Sequence, residues 1–219
     1  EWSNKIFSNK TDIKNKTYTD NNPGMSSRHF LILEFLISKF KQNLKNKRII
    51  DYGCGQGGLI LKAKKYFKFN NLTGLEHSKK NISLIKKRFK KEKLKEPKLF
   101  QSTIENFKNS QRYDLGFLTW TLCNCSEPLE IVKSISKSLK KNGYLVVAES
   151  SRILVPFKKP IFNYFNPKKK SAYTHPWHWS INSLSNVFKF YGFEVILTND
   201  YFNENDLIII LKNSKKYNQ

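Results

Sequence analysis

Apolar positions in this chain switch repeatedly between two periods. Short apolar runs occur at residues 48–51, 71–76, 98–102, 113–118, 144–148, 193–197 and 206–211. Each is bounded by turn formers or charge and is too short for a helix, so each predicts a buried strand. Between them, apolar residues recur at helical spacing. Phe30, Leu31, Leu33, Leu36, Ile37 and Phe40 form one stripe, which Ser26 or Ser27 is placed to cap. Ile82, Leu84, Ile85 and Phe89 form another, and residues 129–139 and 180–191 two more. The alternation predicts an α/β domain with a mostly parallel seven-stranded sheet and helices on both faces. Gly143 is expected to end the 129–139 helix as a left-handed cap, with the fifth strand at residues 144–148.

The first strand runs into Asp51 and then a turn containing Gly53, Gly55, Gly57 and Gly58, followed by the apolar start of a helix. Missing Cβ atoms there let a ligand approach the backbone and the helix N-terminus. The glycines fit both GxGxG and the dinucleotide pattern GxGxxG, so their spacing leaves the cofactor open. Asp51 weighs against a dinucleotide. At an effective dielectric of ~20, unit charges ~4 Å apart interact by ~4 kcal/mol, and a pyrophosphate beside this acid would be repelled. S-adenosylmethionine instead brings an ammonium and a sulfonium. The segment resembles motif I of the class I S-adenosylmethionine-dependent methyltransferases, and residues 135–147 resemble that family's "LLKPGGxLVI" pattern.

That resemblance, over roughly residues 26–212, implies a Rossmann-like methyltransferase fold and assigns roles residue by residue. Asp51, Gly53, Gly55 and Gly57 would line the cofactor. Glu76, about 25 residues past Asp51 at the end of the second strand, would accept both ribose hydroxyls, with His77 beside it. Thr103 and Ile104 would meet the adenine, although the family often carries Asp where Thr103 stands. Thr119 opens the segment after the fourth strand, which lies beside the transferred methyl in that family. Arg28 and His29, in the first turn of a helix that partly covers the cofactor, together with Trp120, Asn124, Tyr173 and Trp177, are candidate acceptor contacts. The final strand pair with a helix before it suits this fold better than a dinucleotide-binding one.

Methyl transfer is an in-line displacement that needs alignment and, for an alcohol, a base. The segment after strand four lacks the Asn/Asp-Pro-Pro-aromatic signature of enzymes acting on amide or base amino nitrogens. Many small-molecule members have a histidine where Asn124 stands, and Asn cannot act as a base. His175 and His178 are therefore the catalytic candidates, set among Tyr173, Trp177 and Trp179 just before and at the start of the helix expected at residues 180–191. The bland alternative is that these aromatics plug the core and the histidines cap the helix. Trp177 and Trp179 are candidates to stack on a sugar face. Cys123 and Cys125 read as small packed thiols, and no metal site is expected.

The expected organisation is an arm at residues 1–27, a methyltransferase domain at 28–212 with a lid insertion at about 152–180, and a polar tail at 213–219. Three cysteines without an even framework suggest a reducing, cytoplasmic compartment. No signal-peptide pattern or membrane-spanning run is apparent, and the first residue is not Met. The net charge of +23 comes almost wholly from Lys scattered among Asn, Ile and Phe. It reads first as a solvated coat, then as attraction for an anionic small substrate, and last as an RNA or membrane surface. Methylation of a small-molecule oxygen, in a sugar, glycan precursor or related metabolite, is the leading expectation. An RNA methyltransferase and an inactive cofactor-binding subunit are the alternatives.

Overall fold

The computed structural model describes residues 28–34, 36, 44–150, 177–199 and 206–214, without the side chains of residues 150 and 206. The expected arm at 1–27, most of the expected lid, Tyr173 and His175 lie outside these residues. The first helix, α1, is helical at residues 28–34 and 36. Then follow β1 (Arg48–Tyr52), α2 (Gly58–Lys65), β2 (Asn71–Glu76), α3 (Lys79–Lys91), β3 (Lys98–Gln101) and β4 (Tyr113–Thr119). A 3-10 turn (Leu122–Asn124), α4 (Pro128–Ser138), β5 (Leu139–Ser150), α5 (Ile181–Phe190), β6 (Phe193–Thr198) and β7 (Asp206–Asn213) complete the described chain.

The seven strands form one sheet in the order β3-β2-β1-β4-β5-β7-β6. β1 to β5 pair in parallel, and β7 inserts antiparallel between β5 and β6. The chain winds outward from β1 to β3 and then returns to β4 on the other side of β1. This reversal opens a crevice at the carboxyl ends of β1 and β4, where ligands bind in such sheets. Successive residues of the central strands feed opposite faces, as the period of two requires. Ile50, Leu118, Val147 and Ile209 join Ile131 and Ile135 of α4 and Leu184 and Phe188 of α5. Ile49, Phe117, Val146 and Ile210 join Leu33 and Leu36 of α1 and Leu59 and Ala63 of α2. Burial on both faces explains why these strands read as nearly continuous apolar runs.

One boundary differs from the sequence expectation. α4 stops at Ser138, and Leu139 is already extended, pairing with Tyr113. Leu115 then pairs with Tyr144, so residues 140–143 bulge out of register. Asn142, with φ 63°, takes the left-handed conformation expected of Gly143. Gly143 is needed for another reason: a Cβ there would lie 3.0–3.2 Å from the carbonyl oxygens of Lys140, Tyr113 and Asp114. No helix among the described residues is long and apolar enough to cross a membrane.

Candidate functional site

Three glycines give the turn after β1 its shape. Gly53, Gly55 and Gly57 have φ of 69°, 53° and 75°, a region that strains residues with a Cβ. The turn folds back on β2, with the Cys54 amide donating to the Leu75 carbonyl at 3.0 Å and the Gly55 amide to Glu76 Oε2 at 2.9 Å. The other Glu76 oxygen accepts from the Ser78 amide at 2.9 Å and from Asn81 Nδ2 at 3.3 Å. Ser78 caps α3, which in turn supplies Arg88, whose guanidinium donates to the Gln56 carbonyl at 2.7 Å. Two elements thus grip the glycine turn from one side.

Asp51 lies within β1, opposite Gly74 of β2 and Phe117 of β4, and is 2% exposed. Burial pushes its carboxyl up to about 8, and the Glu76 charge adds to the shift. Its Oδ1 has no hydrogen-bond partner among the described residues. A buried acceptor without a donor is expensive, and a cation arriving from the crevice would satisfy it. Burial thus favours the protonated form of an acid that its place beside the glycine turn would suggest is charged.

Beyond β4 the chain makes a tight reversal. Trp120 is left-handed (φ 49°), and its amide donates to the Ala148 carbonyl at 2.7 Å. Thr121 packs so closely on the glycine turn that a Cβ at Gly53 would lie 2.7 Å from its methyl group. From the other side, α1 brings His29 edge-on to Trp120, with ring centroids 5.6 Å apart, and sets Arg28 5.8 Å above that ring. His29 also covers Gly58, where a Cβ would approach its ring to 2.9 Å. Sheet ends, glycine turn, reversal and covering helix therefore meet in one place.

A family model for the methyltransferase domain matches residues 43–216. The chain belongs to the methyltransferase domain family. It is 32% identical over 124 residues to a ubiquinone biosynthesis O-methyltransferase from Pelagibacter ubique (strain HTCC1062), covering 57% of this chain and 50% of that protein. It is 26% identical over 102 residues to a probable (S)-tetrahydroprotoberberine N-methyltransferase 2 from Papaver bracteatum, covering 47% and 28%. The chain thus spans half or less of the length of these curated relatives. Among solved structures it resembles the plantazolicin methyltransferase BamL in complex with a triazolic desmethylPZN analog and SAH. That likeness has a TM-score of 0.73 at 18% identity, over 98% of this chain and 95% of that one.

Within this methyltransferase domain, the residues singled out from the sequence fall into three groups. Asp51, Gly53, Gly55, Gly57 and Glu76 are brought together, with the exposed His77 placing Nδ1 3.3 Å from Glu76 Oε1. Ile104 is buried in the core beside Leu75, and Thr103 is exposed next to it after β3. Arg28, His29, Trp120 and Asn124 form the second group, with Thr119 at the end of β4; Asn124 Nδ2 donates to the Trp120 carbonyl at 3.0 Å. Trp177 belongs to the third, donating from Nε1 to the Cys125 carbonyl at 2.8 Å and from its amide to the Cys123 carbonyl at 3.4 Å. His178 follows it, exposed, and Ser180 caps α5 with a reciprocal bond to Ser183.

The paired sugar-stacking role expected of Trp177 and Trp179 does not survive. Trp179 is buried in the core and stacks on Trp177 with centroids 5.9 Å apart, leaving only Trp177, 38% exposed, with a surface to offer. Glu149 went unnoticed in the sequence. It is the penultimate residue of β5, is fully buried, and accepts from three consecutive amides of the reversal. Burial pushes it up to about 7, against the pull of those donors. An acid directly after a run as apolar as residues 144–148 was the available signal.

Proposed function

We propose that this domain transfers the methyl group of S-adenosylmethionine to a small molecule, with an oxygen of a sugar, glycan precursor or related metabolite as acceptor. The observation that carries the cofactor reading is the pair of buried carboxylates flanking a left-handed glycine turn. Glu76 stands at the end of β2, one hydrogen bond from the Gly55 amide. It suits a vicinal diol, which presents two donors side by side. Asp51 keeps an unpartnered buried oxygen that suits the cationic amino-acid end. Thr103 and Ile104 would flank the adenine, and Thr119 would lie near the sulfonium. The SAH complex of a methyltransferase with this fold supports the reading, as does the O-methyltransferase activity named for the Pelagibacter relative.

On this reading the acceptor enters between Trp120, Asn124, Trp177 and α1, where Arg28 would favour an anionic molecule. The acceptor oxygen attacks the methyl carbon as the carbon–sulfur bond breaks, and the imidazole of His178 or His175 takes its proton. A nitrogen acceptor is the second reading, favoured by the N-methyltransferase name of the Papaver relative. A neutral amine needs no base before attack, so it predicts turnover that survives loss of both histidines. Calorimetric titration with S-adenosylmethionine, its demethylated product and NAD tests the cofactor. Binding of NAD without a signal from the other two would refute the proposal. A labelled-methyl assay against pooled metabolites, sugar nucleotides and total RNA then finds the acceptor.

A further inference from the structure

The reversal after β4 has an unusual distribution of hydrogen bonds. Its four consecutive amides, at residues 120–123, all point at the end of β5. Trp120 donates to the Ala148 carbonyl at 2.7 Å; Thr121 and Leu122 donate to Glu149 Oε1 at 2.9 and 2.7 Å, and Cys123 to Oε2 at 3.3 Å. The left-handed Trp120 (φ 49°) followed by the right-handed Thr121 (φ −108°, ψ −43°) gives the alternation that turns successive N–H groups into an anion-binding concavity. Here the anion site is filled from within the fold by a side chain.

The carbonyls of the same stretch face the other way. Trp120 and Thr121 hold Asn124, and Cys123 and Cys125 hold Trp177 immediately before His178. The turn is therefore clamped between Glu149 and the Trp177 segment. On the acceptor side of the proposed site, Trp120, Asn124 and the Trp177–His178 segment hang on it, while Arg28 and His29 come from α1 and Asp51, Glu76 and the glycines from β1, β2 and the turn between β1 and α2.

We propose that Glu149 is a positioning residue, whose carboxylate fixes the turn at residues 120–125 and through it the orientation of Trp120, Asn124 and the Trp177–His178 segment toward the methyl acceptor. This rests on the methyl-transfer reading. A Gln at 149 keeps a carbonyl oxygen for the Thr121 and Leu122 amides but turns an NH2 toward Cys123. An Ala removes every acceptor.

The test compares wild type, Glu149→Gln and Glu149→Ala by amide hydrogen exchange, by titration with the demethylated cofactor, and by methyl transfer to whichever acceptor the labelled-methyl assay yields. In Glu149→Ala, exchange at residues 120–124 should rise by roughly tenfold or more, with the Cys54 and Gly55 amides, which β2 holds, unchanged. Cofactor-product affinity should stay within about threefold of wild type. Turnover should fall by about 10²-fold, the scale expected from misplacing reacting groups by ~1 Å. Glu149→Gln should recover protection at Thr121 and Leu122 and most of the turnover. Should the Ala variant fail to fold, Glu149→Asp, which retracts the carboxylate by one methylene, takes its place. Unchanged exchange at 120–124 overturns the inference, as does a parallel loss of stability, cofactor-product affinity and turnover that Gln does not rescue. Failure of the wild type to bind the demethylated cofactor would instead remove the methyl-transfer reading, and the exchange pattern would still decide whether Glu149 holds the turn.

Discussion

At the residue scale, the site depends on carboxylates whose chemistry is set by burial. Glu76 is nearly surrounded by N–H donors, so Glu76→Ala leaves those donors unmatched and, on the proposed reading, takes a carboxylate acceptor from the ribose. Cofactor affinity should fall by ~1–3 kcal/mol in calorimetry; unchanged affinity would remove the ribose assignment. Asp51 behaves differently, because its carboxyl is raised from 3.8 to about 8. The folded protein keeps a proton there that the unfolded chain gives up, so the stability linked to this group is lost as pH rises from 3.8 to about 8. Above that range it changes no further. A bound cation reverses the preference and favours the carboxylate, so cofactor binding at pH 7 should release a proton. Titrations in buffers of different ionisation enthalpy should show less release for Asp51→Asn than for wild type, and its melting temperature should vary less across that pH range. Equal proton release would exclude Asp51 as the coupled group. His178 carries the third expectation. If it is the base, His178→Ala should reduce turnover by ~10²–10⁴ while leaving cofactor affinity intact, whereas loss of a structural histidine would reduce both together.

At the scale of elements, the glycine turn separates two kinds of glycine that look alike in the sequence. Gly53 is left-handed and also has Thr121 where a Cβ would go, whereas the Cβ position at Gly55 is open. Both Ala variants bear the left-handed penalty of roughly 1–2 kcal/mol. Gly53→Ala should lose further stability by pushing on the reversal after β4. Gly55→Ala should melt only slightly lower but bind cofactor much more weakly, because its methyl enters the crevice. Thermal melting and titration of the two variants check this, and equal destabilisation would contradict the packing difference. The same turn shows what local sequence can reveal. Strands β1, β2 and β4 and helix α5 were legible to within a residue or two, because period, cap and burial agreed; for α3 the stripe from Ile82 to Phe89 showed the helix but not its ends. The start of β5 was not. Leu139 satisfies a helical stripe and a strand equally well, and its pairing with Tyr113 is a distant event. Asn142 beside Gly143 offers a second residue able to turn left-handed, and sterics against three carbonyls decided between them. Distance in sequence likewise hid Glu149 and the upward pull of burial on Asp51, since each depends on what another strand brings alongside; for Trp179 the sequence left stacking and core burial both open, and packing chose the core.

At the scale of the whole molecule, the net charge of +23 needs a place in the functional account. Among the described residues, Lys79, Lys80, Lys86, Lys87, Lys90 and Lys91 are exposed along α3. Lys45, Lys47 and Lys98 are exposed near the amino ends of β1 and β3, and Lys141 in the bulge near the start of β5, at the far end of the sheet from the crevice. Such a spread favours a coat over a track leading nucleic acid to the methyl site. It also predicts how the protein should respond to salt. A protein that neutralises 6–10 phosphates loses roughly 10³–10⁵ in affinity between 50 and 200 mM salt. Binding of total RNA to this surface should be weak and fall steeply over that range, as any lysine-rich surface would show. Cofactor binding involves few charges in a sheltered crevice and should change by no more than about twofold, because buried pairs are poorly screened. Methyl transfer to a neutral metabolite should follow the cofactor, and transfer to an anionic one should weaken only modestly if Arg28 alone reads its charge. Labelled-methyl incorporation measured at both salt concentrations separates the cases. Label that accumulates in RNA at 50 mM and vanishes at 200 mM, while pooled metabolites stay unlabelled at both, would turn the coat into the substrate-binding surface and replace the small-molecule reading with the RNA one.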